Sequence, residues 1–224
     1  MTLSELKTII QNYVENDETT FVATLDDMIQ IAETRIFELV QFDYFRKNVT
    51  GNLTTGNTYL TAPSDFQMSF SLAIIDSNND YSYLDKKHPS FMREYSNDAV
   101  ATSERGIPLY YADFDKELST GADNGSTLIV SPVPDADYNV ELHYLYQPTS
   151  LTSSTSGTWM SNNAKNALIY GTLVEAYTFM KGEVDLMTLY ENRFNQEIAR
   201  LKNLAEARGR KDEYRYDSLR TQIS

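Results

Sequence analysis

The 224-residue chain contains no cysteine. That removes disulfides, thiol nucleophiles, iron–sulfur clusters and thiolate zinc sites together, and leaves the compartment undecided. Histidine is almost as scarce, with His88 and His143 the two present. A Ser-His-Asp site must use one of them, and no G-x-S-x-G elbow accompanies either. The H-E-x-x-H, G-x-x-x-x-G-K-[ST] and G-x-G-x-x-G motifs are missing as well. Basic residues are outnumbered, 19 Lys and Arg against 32 Asp and Glu, for a net charge of −13. This argues against a general nucleic-acid binder, which needs a clustered basic surface. Apolar runs are short, the longest covering residues 69–75, well below the ~20 residues of a membrane span. Glu5, Lys7, Glu15 and Asp17 stand where a secretory signal needs apolar residues, so none is expected.

The rest is globular in composition, 41% hydrophobic and 23% charged, and the length fits one or two domains. Thr2 and Glu5 form a capping box ahead of Leu3, Leu6, Ile9, Ile10, Tyr13 and Val14, which predicts a first helix ended by Asn16 and Asp17. A second begins near Thr19 or Thr20. Its apolar face is Phe21, Leu25, Met28, Ile29, Ala32, Ile36, Leu39 and Val40.

The period then changes, and all six prolines fall in the middle of the chain. Tyr138, Val140, Leu142, Tyr144 and Tyr146 alternate with more polar residues, the pattern of a half-buried strand. Residues 127–130, 109–114, 66–76 and 81–84 read as further strands. Pro132, Pro134, Asp135 and Asp137 supply a turn, and Asn124-Gly125 another. Residues 88–96 read as a short helix with Pro89 at its first position. Residues 151–158 read as a polar linker. Beyond it, one helix is expected over residues 161–181, broken at Gly182. Another follows through Met187, Tyr190, Phe194, Ile198, Leu201 and Leu204, with the pattern stopping after Gly209.

The expected fold class is α+β. Residues 1–47 and 159–207 form a discontinuous helical bundle, because helices with one apolar face each need partners. Residues 48–150 form an inserted, antiparallel β-rich domain, and residues 208–224 an extended C-terminal tail. Charge follows this division: −9 over residues 48–150, −5 over residues 1–47, and +1 over residues 206–224.

Chemistry is hard to find. Asp113 and Asp115 form a D-x-D that fits either a cation or an acid/base pair, but a solvated strand explains it better. Asp123-Asn124-Gly125 and Asp135-Ala136-Asp137 lack the oxygen ligands of a calcium loop, and turn chemistry accounts for both. His143 reads as solvated on its strand and His88 as a helix-start or surface residue. No catalytic residue, cofactor or metal is assigned. Tyrosine is abundant, 16 in all with nine in the middle region. This suits a core and a protein interface better than a base- or sugar-stacking platform. The tail concentrates Arg208, Arg210, Lys211, Tyr214, Arg215, Tyr216, Leu219, Arg220 and Ile223. Arg and Tyr dominate binding hot spots, and such a segment can order on a partner.

Five collinear segments, residues 31–36, 106–111, 128–135, 138–144 and 159–160 with 167–176, resemble the bacteriophage head-to-tail adaptor (connector) family, the ring proteins beneath the portal. Ile31-Ala32-Glu33-Thr34-Arg35-Ile36 is similar to the A-E-x-R-I signature of the family's second helix. Gly106-Ile107-Pro108-Leu109-Tyr110-Tyr111 resembles its G-x-P-x-x-Y strand entry. Leu128-Ile129-Val130-Ser131-Pro132-Val133-Pro134-Asp135 resembles its apolar strand and P-x-P-D turn. Tyr138-Asn139-Val140-Glu141-Leu142-His143-Tyr144 is similar to its Y-x-V-E-L-x-Y strand. Trp159-Met160 and Ala167-Leu168-Ile169-Tyr170-Gly171-Thr172-Leu173-Val174-Glu175-Ala176 resemble its W-L and L-Y-G-x-L-x-E-A helix. Phe37-Glu38 replaces the expected Arg-Asp, and residues 43–104 match no motif.

The resemblance implies a structural virion protein rather than an enzyme. It would form a dodecameric ring joining the portal protein to the tail tube or nozzle, with tail fibres attached in some phages. DNA would only pass through its lumen, without a membrane, and assembly would take place in the host bacterial cytoplasm. In that family the C-terminal end docks on the portal, which assigns the tail residues named above to docking. The alternative is a tail-associated carbohydrate- or receptor-binding module, and a third reading is a hydrolase using Asp113 and Asp115.

Overall fold

A computed structural model describes residues 1–40, 43–76, 78–95, 102–114 and 126–213. The chain is α+β and divides into two compact units, Met1–Tyr44 with Thr149–Ser224, and Phe45–Pro148.

The first unit is helical. Helix α1 (Leu3–Val14) begins at the capping box: Glu5 N–H donates to the Thr2 hydroxyl at 3.3 Å, and Thr2 N–H donates to the Glu5 carboxylate at 2.9 Å. Helix α2 (Thr19–Leu39) buries Phe21, Leu25, Met28, Ile29, Ala32 and Ile36 along one face. Helix α5 (Lys165–Phe179) is buried on several sides and packs against α1, α2 and helix α6 (Val184–Glu213). A helix surrounded by partners has no solvent face to keep polar, and Ala167, Leu168, Gly171, Thr172, Leu173, Val174 and Ala176 reflect this. From α6, Phe194, Ile198 and Leu201 are buried.

Three segments of this unit differ from the sequence reading. The helix expected over residues 161–181 is two helices, α4 (Trp159–Asn163) and α5, meeting at Ala164 with φ −117° and ψ 31°. Asn163 donates its side-chain amide to the Trp159 carbonyl at 3.0 Å, and such local bonds compete with helix continuation. The stretch read as a linker contains a 3-10 turn, Leu151–Ser153, with Leu151 fully buried. Finally, helical backbone continues through Gly209 to Glu213. One glycine costs only ~1 kcal/mol in a helix, and Arg208, Arg210 and Lys211 around it favour helix. Helix α5 ends at Phe179, short of the expected break at Gly182, with Met180 as its C-cap and Lys181 left-handed at φ 53°; a Cβ on the following Gly182 would lie 2.6 Å from Tyr177 Cδ1.

The described residues of the second unit form two four-stranded sheets. One holds β1 (Arg46–Leu53), β8 (Tyr138–Tyr146), β3 (Phe66–Ile75) and β4 (Tyr81–Tyr83), in that order and antiparallel throughout. The other runs β2 (Tyr59–Thr61), β7 (Thr127–Ser131), β6 (Tyr110–Asp113) and β5 (Asp85–Lys86), with β5 parallel to β6. Leu53, Leu72, Ile74, Val140, Leu142 and Tyr144 of the first sheet share one core with Tyr111, Leu128 and Val130 of the second. A helix, α3 (Pro89–Tyr95), buries Met92 with Ala112 and Ile129.

Candidate functional site

The residues that carry catalytic readings are occupied by structural bonds. Asp113 accepts from Lys86 Nζ and from the Ser69 hydroxyl, both at 2.5 Å. Its companion Asp115 lies outside the described residues, as do Asp123, Asn124 and Gly125. Asp137 accepts from Thr55 N–H at 2.7 Å and the Thr55 hydroxyl at 2.8 Å, and these bonds hold its carboxyl below the usual range. Asp135 accepts from the Tyr138 hydroxyl at 2.7 Å and pushes that phenol up to about 12.

His88 starts α3, its Nδ1 accepting Ser90 N–H at 3.2 Å, as a cap does. His143 is half-buried with its ring 5.4 Å from that of Phe70. Burial, then Arg46, keeps its pKa low, so it is neutral near pH 7. Among the described residues no group of three His, Cys, Asp or Glu is placed to hold a metal. No described helix is long and apolar enough to cross a membrane.

The signature segments, by contrast, meet one another. Ala32 and Arg35 on α2 face Gly171 and Glu175 on α5. A Cβ on Gly171 would lie 3.1 Å from the Ala32 Cβ and 3.1 Å from Phe194 Cε2, so glycine lets three helices close up. Four residues on, one turn further, Arg35 bonds Glu175 at 3.4 Å and Glu191 of α6 at 2.9 Å. Its guanidinium also lies 4.7 Å from the Phe194 ring centroid. The planar fork suits this triple role, which a lysine cannot reproduce. Glu33, between Ala32 and Arg35, turns elsewhere. It is buried and accepts Leu151 N–H at 3.0 Å and the Ser150 hydroxyl at 2.6 Å. Burial raises its pKa, and those hydrogen bonds offset part of the rise.

The β signatures also close on each other. Gly106 N–H donates to the Val133 carbonyl at 2.9 Å, and Leu109 N–H to Ser131 at 2.9 Å, beside a cis Ser131–Pro132 peptide. Gly56, at φ 75°, donates to Pro134 at 2.9 Å. The inward residues of β8 are buried as the alternation predicts, and Tyr144 donates to Asp65 at 2.8 Å. Burial, then Asp65, raises Tyr144 to about 12.

Among the described residues, concave surfaces of the second unit are open to ligands or partners. One cleft of 630 Å³ is lined by Asn52, Thr54, Ile75, Asp76, Asp137 and Asn139 among others, a polar rim with no convergent cations. A smaller apolar groove of 210 Å³ lies where β1 and β2 part, lined by Val49, Leu60, Ala62, Pro63, Val140 and Leu142. Tyrosines gather in both units. Tyr13, Tyr170 and Tyr177 surround Tyr190 with ring centroids 5.2–6.4 Å away. In the other unit Tyr110 meets Phe91 and Tyr95, each at 5.1 Å.

Of the docking residues, Arg208, Arg210 and Lys211 stand on the helical backbone of α6. Tyr214, Arg215, Tyr216, Leu219, Arg220 and Ile223 lie outside the described residues. The sequence reading missed the Glu33 bonds to Ser150 and Leu151. The available signal was a carboxylate in the buried stripe of α2, where an unpaired charge is costly. It also missed the exposed edge strand β1.

A family model described as SU10 adaptor protein matches residues 1–221. No curated protein matches the chain.

Proposed function

The chain belongs to the SU10 adaptor protein family, a family of phage head-to-tail adaptors, and from this premise we propose how it acts. It is a structural component of the virion neck. Several copies, twelve in the reading by resemblance, form a ring that joins the portal to the tail tube or nozzle and continues the DNA channel. Assembly takes place in the cytoplasm of the host bacterium. Residues 208–224 dock on the portal, with Arg208, Arg210, Lys211, Arg215 and Arg220 pairing carboxylates and Tyr214, Tyr216, Leu219 and Ile223 filling pockets. Ordering such a segment costs ~1–2 kcal/mol per residue, which many copies acting together offset through avidity.

The observation that carries this reading is the match over residues 1–221, supported by signature residues that pack on one another. A scaffold of this kind works by geometry and interfaces, and Asp113, Asp137 and His88 spend their polar atoms on local structure. The test is to mix the chain with assembled portal rings and measure the mass of the complex. Many copies per portal support the ring. One or two copies, or none, would overturn it.

A further inference from the structure

Among the described residues, the first sheet of the second unit ends in two open edges. On one side β1 pairs, among those residues, with β8 alone, and Arg46, Lys47, Asn48, Val49 and Thr50 are all exposed. On the other, β4 pairs, among those residues, with β3 alone, and Tyr81, Ser82 and Tyr83 are all exposed, Tyr83 by 68%. Every second residue of an edge strand turns its N–H and C=O away from the sheet, a template for another strand.

We propose that these two edges pair with each other between copies, β4 of one copy against β1 of the next, so that the sheet runs on through the assembly. The proposal rests on the adaptor reading. Strand parity supports it. β1 is antiparallel to β8, β8 to β3, and β3 to β4. Hence β4 is antiparallel to β1, and a neighbour in the same orientation presents β1 for an antiparallel pair, the more stable kind. Head-to-tail pairing of two different edges is the heterologous contact from which closed rings are built, whereas pairing β1 with β1 gives a two-fold dimer.

The register also settles the faces. Tyr83 is opposite Ala73, Ala73 opposite Glu141, and Glu141 opposite Thr50. Tyr83 and Thr50 therefore project on the same face, where a continued sheet sets tyrosine beside threonine, a favourable cross-strand pair.

The natural chain has no cysteine, so introduced thiols report without background. Particles would be purified from phage carrying cysteine at Thr50 and Tyr83, at Asn48 and Tyr83, or at Asn52 and Tyr81, then oxidised and run without reductant. In at least one double variant a ladder of dimers, trimers and higher species is expected, with each single variant monomeric. In parallel, hydrogen exchange of the unsubstituted chain, free and in particles, should show slower exchange on assembly over residues 46–53 and 80–84. Monomers in all three double variants, or unchanged exchange at both edges, would overturn edge pairing while leaving the adaptor reading intact. Absence of the chain from the particles would overturn the adaptor reading itself.

Discussion

Gly171 offers the sharpest test of the helical packing. Alanine at this position gains ~1 kcal/mol of helix propensity. Its Cβ, however, would sit 3.1 Å from both Ala32 Cβ and Phe194 Cε2, closer than ordinary contact. Neither neighbour yields easily. The Ala32 Cβ moves only with α2, and the Phe194 ring is fully buried. Overpacking of this kind costs ~1–3 kcal/mol, and two tight contacts belong in the upper part of that range. The net expectation for Gly171→Ala is a loss of ~1–2 kcal/mol, which at ~2–4 °C per kcal/mol for a chain of this size lowers Tm by roughly 2–8 °C. Gly171→Val adds two methyl groups and a stiff χ1 and should lose more. The assay is a thermal melt followed by helical circular dichroism, since α1, α2, α5 and α6 all belong to this unit. In a double-mutant cycle Ala32→Gly should cost less in the Gly171→Ala background than alone, because there it opens one of the two tight contacts. A Tm that rises in Gly171→Ala would refute the argument, showing that propensity outweighs packing here.

Arg35→Met should cost ~1–2 kcal/mol in the same melt. It removes two ion pairs that are part-exposed, hence discounted for solvent, and the stack on Phe194. No loss would show the pairs to be ornamental. Glu33 has a folded pKa raised by burial, so its contribution to stability is fully present below the unfolded value and is lost as pH rises through the folded one. Melts of wild type and Glu33→Gln from about pH 4 to 8 should therefore differ by an amount that moves against the wild type with rising pH. Parallel profiles would contradict this. Ending the chain at Ala207 should leave Tm nearly unchanged and abolish portal binding in a co-sedimentation assay. Full binding by the truncated chain would make residues 208–224 a passive end.

How much of this was legible in the sequence follows from what each residue contacts. The alternation over Tyr138–Tyr146 and the Thr2–Glu5 box translate directly into β8 and the start of α1, because one buried face and one cap decide them locally. β1 was invisible for the opposite reason. Of its eight residues only Leu53 is buried, so no alternation marks an edge strand whose partner is ninety residues away in sequence. The Leu151–Ser153 turn looks like low-complexity linker, and it is the Glu33 and Gln30 side chains of a distant helix that hold it in place. The signature residues could be quoted one segment at a time. That Ala32 and Arg35 meet Gly171 and Glu175 is a fact of tertiary structure.

The central claim is a place in the particle, and density of the neck tests it most directly. A cryo-EM reconstruction of the purified virion neck, with this chain traced, is predicted to show a closed ring of its copies between the portal and the tail, around the DNA channel. Density that places the chain at a fibre tip, or finds single copies away from the portal, would contradict the account.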